Sequence, residues 1–188
     1  MKLKGLWAFI QEQRSVKTID LEKVYESFFD ESFTIEDIIE SKNFPYPSQL
    51  LKSSMYVEFL KDFKDKAVVT DDEIKKSRYF KTAWKHIQTY GHYQLKKDET
   101  ELVQYCRNFL DLYRIFEKKA RHRQLNVINA TADHYKYGYP LVFKILNSDH
   151  SMVWDGHHRL ACHYVLKKRF VKVKIMGTRK NAFQARES

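Results

Sequence analysis

The sequence predicts an α+β protein, helical through its first two-thirds and closed by a small α/β region. Three observations predict it. Apolar residues recur at helical spacing as far as residue 123. After that point the period shortens to that of strands. A glycine-hinged corner then joins one of those strands to a last helix. The expected division is a mainly helical region over 1–123, an α/β region over 124–178 and a polar tail over 179–188.

The elements follow in order. Leu6, Phe9 and Ile10 share one helical face. Asp20 is placed to cap a helix with Leu21, Val24, Tyr25 and Phe28 on its buried side. Thr34 and Asp37 form a capping-box variant before Ile38 and Ile39. The run Asn43, Phe44, Pro45, Tyr46, Pro47 breaks any helix and reads as a linker, with Ser48 opening the next helix. Leu50, Leu51, Tyr56, Phe59, Leu60 and Phe63 form that helix's apolar side. Thr70, Asp71, Asp72 and Glu73 put a cap and three acids at a helix start, and Gly91 marks its end. A long helix is predicted from Lys97 to Arg123, with Leu102, Cys106, Phe109, Tyr113 and Phe116 on one stripe. Residues 141–146 and 151–154 read as strands around a turn at 147–150. Residues 160–166 read as a helix, and 170–175 as a strand with one wet face.

Composition narrows the classes. The 188 residues are 43% hydrophobic and 15% aromatic, enough apolar material for a packed core. No run approaches the length of a membrane span, and the N-terminus lacks the pattern of a secretory signal. Two isolated cysteines, Cys106 and Cys162, form no metal or redox motif and fit a reducing, cytoplasmic setting. The formal charge of +10 is unevenly placed. Residues 1–100 balance 17 cations against 17 acids, whereas 101–188 carry 17 against 7. That half of the chain suits an anionic partner: a nucleotide, a phosphorylated substrate, a nucleic acid or an acidic membrane surface. Lys118, Lys119, Arg121, His122 and Arg123 concentrate part of it at one helix end, where cations also offset the helix dipole.

The candidate site is the run Asp155, Gly156, His157, His158, Arg159. Trp154 ends a strand and Leu160 is already helical, so the run is a strand-to-helix corner. The first amides of a helix have no internal partner, and with the helix dipole they attract an anion. Arg159 adds a fork of donors matched to phosphate oxygens. His157 and His158 add donors or proton carriers near neutral pH. Asp155 can take a proton, bind a hydroxyl or hold a magnesium ion that bridges phosphates. Asp149 and His150, in the preceding turn, either serve only as turn residues, the favoured reading, or reach the same pocket. Zinc is disfavoured, because adjacent histidines diverge and no further ligands flank them.

The stretch from Val153 to Ala161, followed by a helix and the strand Val171, Lys172, Val173, Lys174, Ile175, resembles the ParB/sulfiredoxin-like superfamily over about residues 139–176. The spelling is most similar to that of its free serine kinases. That resemblance implies a nucleotide-binding kinase, a transferase using ATP or another nucleotide with magnesium, acting on a small hydroxylated acceptor or a sugar. It makes Gly156, His157, His158 and Arg159 phosphate contacts. Asp155 becomes a catalytic or metal-binding carboxylate and His157 a catalytic residue. It also calls for an upstream glutamate, for which Glu117 is the nearest candidate. Sulfiredoxin activity is not expected, since His157 stands where the nucleophilic cysteine would be. A second phosphate motif of the ParB type is not found after residue 160. The alternatives are a DNA- or RNA-binding or nuclease-like ParB-type protein, or a non-catalytic nucleotide-binding module.

Overall fold

A computed structural model describes residues 16–27, 48–121, 138–145 and 148–179. The expectations for residues 1–15, the Thr34 capping box, the 43–47 linker, His122 and Arg123, and the tail beyond 179 lie outside the described residues.

The architecture is α+β. Six strands form one mixed sheet: β1 (Val16–Asp20), β2 (Val24–Ser27), β3 (Ser48–Leu50), β4 (Leu141–Ile145), β5 (Ser151–Asp155) and β6 (Phe170–Arg179). Their order across the sheet is β1-β6-β4-β5-β2-β3. The helices are α1 (Met55–Phe63), α2 (Asp71–Lys76), α3 (Arg78–Tyr90), α4 (Glu99–Arg121) and α5 (His157–Val165). No described helix is long and apolar enough to cross a membrane.

The first strands correct the sequence reading. Residues 16–27 are not a helix. β1 runs antiparallel to β6, and β2 runs parallel to β5. The sheet therefore takes strands from both sides of residue 123, and the described part of the region expected to be mainly helical over 1–123 includes three of them. The reason is local. Leu21 and Val24 are spaced three apart, which suits a helix face, but between them lies only a three-residue 3-10 turn, Leu21–Lys23. Asp20 caps that turn by accepting from the Glu22 amide at 3.1 Å. Leu21 and Val24 are buried, and β-branched Val16, Thr18 and Ile19 favour the extended strand before them. Ser48 likewise opens β3 rather than a helix. The N-cap is Ser54, whose hydroxyl accepts from the Val57 amide at 3.3 Å.

Elsewhere the local signals hold. Thr70 and Glu73 close a reciprocal capping box on α2. The single helix expected after Thr70 is broken at Ser77. This residue donates to the Ile74 carbonyl at 2.6 Å and caps α3 by accepting from the Phe80 amide. Gly91 ends α3 at φ 81°. The hairpin β4–β5 is antiparallel, and β6 returns parallel to β4. In β6, Val171 and Val173 are buried while Phe170 and Lys172 face water, which is the expected period of two.

Strand residues Ile19, Val24, Val142, Val153, Val171 and Val173 form one hydrophobic core with Val57, Leu60, Phe109, Leu160 and Cys162 from the helices. α5 packs against both α1 and α4. Cys106 and Cys162 are both buried, and burial pushes the Cys106 thiol up to about 12.

Candidate functional site

Parallel pairing of β2 with β5 brings the carboxyl ends of both strands to one edge of the sheet, and α5 starts at that edge. Gly156 is the N-cap of α5, at φ 91° and ψ 24°, and no side chain caps the helix. The first intrahelical bond is Leu160 N–H to Gly156 O at 3.0 Å. The amides that open the helix therefore face the corner, as an anion site requires. Glycine is needed there twice over. The φ is left-handed, and a Cβ would lie 2.9 Å from both Arg159 Nη2 and Pro140 Cβ. Gly156→Ala is expected to cost roughly 2–3 kcal/mol, the scale of a strained backbone plus a clash. Urea denaturation checks it, and a loss under ~0.5 kcal/mol means the corner relaxes freely.

Tyr56, Gln94, Tyr105, Trp154, Asp155, Gly156, His157, His158 and Arg159 line a cleft of about 150 Å³. All five motif residues thus converge on one space. Gln94 reaches it from a tight turn in which Tyr93 and Lys96 exchange backbone hydrogen bonds. Gln94 and Leu95 have φ of 48° and 65°, so this turn holds two non-glycine residues in left-handed strain at the cleft wall.

Two motif residues, Arg159 and His158, differ in role from the sequence expectation, as does Glu117 outside the motif. Arg159 is not an open fork. Its side chain is 1% exposed, and it holds Asp155 Oδ2 through Nη2 at 3.2 Å and the Gly138 carbonyl through Nη1 at 3.1 Å. It clamps the 138–140 turn to the end of β5 while also forming one wall of the cleft. Asp155, by contrast, keeps a 42% exposed carboxylate at the rim.

His158 is not a proton carrier near neutral pH. Its ring stacks on Phe109 with centroids 3.9 Å apart, and Tyr56, Tyr79 and Tyr105 pack around it. Nε2 shares a 2.9 Å hydrogen bond with the Tyr79 hydroxyl. Burial, then the charges of His157 and Arg159, lower its pKa to about 3. Burial also raises the Tyr56 and Tyr79 hydroxyls well above their ordinary values.

Glu117 does not reach the cleft. It lies on α4 eight residues past Phe109, about 12 Å further along the helix. The carboxylate the structure supplies instead is Glu26 of β2. It is 2% exposed, with Oε1 3.3 Å from His157 Nδ1. A carboxylate at Nδ1 orients the imidazole and leaves Nε2 as the atom that exchanges protons. Glu26 carried no legible signal because its segment reads as a helix. Asp149 and His150 are also absent from the cleft lining. Asp149 pairs with Lys23, and His150 with Ser148 and the Tyr25 ring.

Among the described residues no three histidine, cysteine or acidic side chains are grouped to hold a metal ion. The class that fold and site define is an α+β protein with an uncapped, glycine-hinged helix start at the carboxyl edge of a mixed sheet. No protein-family model, curated protein or solved structure matches the chain.

Proposed function

We propose that the protein is a nucleotide-binding phosphotransferase of the ParB/sulfiredoxin-like type, acting on a small hydroxylated acceptor or a sugar. The observation that carries this reading is the convergence of Asp155, Gly156, His157 and Arg159 on one cleft. There an uncapped helix start meets a histidine backed by buried Glu26. The cleft's 150 Å³ is below the ~300 Å³ at which small-molecule pockets begin, and it suits a phosphoryl group. The phosphates enter the corner, and the nucleoside lies outside it beside the exposed Trp154.

The helix amides and the wall formed by Arg159 bind the phosphates. His157 Nε2 removes the acceptor's hydroxyl proton, and Glu26 holds the resulting imidazolium. The acceptor oxygen forms a bond to phosphorus as the bond to the leaving nucleoside phosphate breaks. Asp155 orients the acceptor. It is also the carboxylate available to a magnesium ion, which commonly binds through one or two carboxylates plus substrate phosphates. Such an ion would neutralise charge on the transferring group.

A thermal-shift panel of ATP, ADP and CTP, with and without magnesium, tests the reading. A nucleotide at a hundred times its Kd should stabilise the fold by ~2.7 kcal/mol. His157→Gln should keep that stabilisation and lose about a hundredfold or more in transfer rate, the scale of general-base catalysis. If no nucleotide shifts the transition, the site assignment is wrong. Stabilisation without turnover by the unaltered protein would reduce the reading to a non-catalytic nucleotide module.

A further inference from the structure

The opposite end of α5, about 13 Å from the glycine corner along the helix axis, carries a second concentration of positive charge. Lys61 of α1 and Lys64, which caps its C-terminus, meet Lys167, Lys168 and Arg169 of the α5–β6 turn around Tyr164, lining a half-open groove of about 480 Å³. Glu22 is the only carboxylate among the described residues of that lining, and it is hydrogen-bonded to the Tyr164 hydroxyl. Arg169 is bound to Asp20 at 3.1 Å, and Lys64 is paired with Asp65. Among the described residues Lys61, Lys167 and Lys168 have no carboxylate partner. A cation at a helix C-terminus offsets the helix dipole. Two helices end here, α1 with its C-cap at Lys64 and α5 with its C-cap at Leu166, so the dipoles account for cations in both segments; they do not require that the two sets converge on one groove.

The backbone adds a second observation. Lys167 has φ 59°, in the position after a helix where glycine is preferred. The turn is tightly bonded: the Lys167 amide donates to Tyr164 O at 2.9 Å and the Lys168 amide to His163 O at 3.0 Å. A lysine is strained there, yet its side chain is one the groove uses. Aromatic faces are interleaved with the cations. The Lys61 ammonium lies 6.0 Å from the Tyr164 ring centre, and the Arg169 guanidinium sits 5.3 Å from that of the exposed Phe170. Tyr164 is half-buried under Lys61, whereas Phe170 is exposed. Cations spaced along a groove with an exposed ring beside them are what a single strand of nucleic acid engages, through its phosphates and a base.

We infer that this groove binds the backbone of a single-stranded nucleic acid, with a base against the exposed Phe170 that adjoins it. It shares no residue with the cleft at Gly156, so the two sites stand or fall separately.

The test is fluorescence anisotropy of a labelled oligothymidine of about fifteen nucleotides against the full chain over a series of salt concentrations. Three to four phosphate contacts give a slope of log K against log salt of about −2 to −3. Lys167→Gly relieves the strained turn, so it should raise or preserve the melting temperature while weakening binding and flattening the slope by about 0.7. That combination cannot come from misfolding. The triple variant Lys61→Ala, Lys64→Ala, Lys168→Ala should lose about tenfold or more at low salt. The inference is overturned if the oligonucleotide does not saturate, or if Lys167→Gly binds as the unaltered chain does. Inorganic polyphosphate competing equally, charge for charge, would show general polyanion exchange and overturn the nucleic-acid assignment.

Discussion

Arg159→Ala is expected to cost about 3–5 kcal/mol of folding stability, read as a lowered urea midpoint at unchanged slope. Arg159 is among the largest fully buried side chains, and two structural elements depend on its fork. One branch holds Asp155 at the end of β5, and the other holds the Gly138 carbonyl. Truncation leaves a cavity beside Gly156 and removes the donor to the Gly138 carbonyl, while the 42% exposed Asp155 carboxylate turns to water. Lysine would keep the charge but not the planar fork, so Arg159→Lys should recover only part of the loss. A loss below ~1 kcal/mol for the alanine variant would show that the guanidinium is not a clamp. Because the same group walls the cleft, nucleotide affinity should be compared only where both proteins are folded.

Acid should unfold the protein through His158. Its folded pKa of about 3 lies below the unfolded value near 6.5. The depressed pKa means the folded state holds this ring neutral, while the unfolded state binds a proton between those limits. Stability from this source is fully present above about pH 6.5 and is lost as pH falls toward 3. The shift corresponds to an upper bound on the order of 4–5 kcal/mol. His163, lowered to about 4 by burial and by Lys168 and Arg159, adds loss of the same sign over the same range. His158→Phe keeps an aromatic ring against Phe109 but removes the titration. It should cost ~1–2 kcal/mol at pH 7, because the Tyr79 hydroxyl loses its partner. Its stability should then decline less steeply than the unaltered protein's between pH 6.5 and 4. Parallel curves for the two proteins would show that this ring is not the acid-sensitive element.

His158 also illustrates why adjacency in a motif does not assign roles. His157 and His158 are chemically identical in the sequence, and successive helical residues point about 100° apart. One turns toward Glu26 at the cleft, and the other turns into a cage of rings from α1, α3 and α4. Nothing local distinguishes them. The aromatic stripes of α1 and α4 were legible as core, but what they enclose became visible only when α5 docked against them.

Local signals were readable wherever the cause was local. The capping box at Thr70, the left-handed glycines at 91 and 156, the alternation in β6 and the strand-to-helix corner each rest on interactions within a few residues. The charge excess beyond residue 100 was equally plain. Long-range pairing settled the rest. Leu21, Val24 and Tyr25 satisfy a helical period as well as a strand's, and pairing of β2 with β5 and β3, with the Leu21 amide bonded to the Arg169 carbonyl, decides between them. That choice carried Glu26 to His157, while packing around α5 left Glu117 outside the cleft lining and made Arg159 a buried clamp rather than an open fork. A strand's partners and a side chain's burial depend on segments remote in the chain, so a reading based on spacing finds the corner but not the residues that close around it.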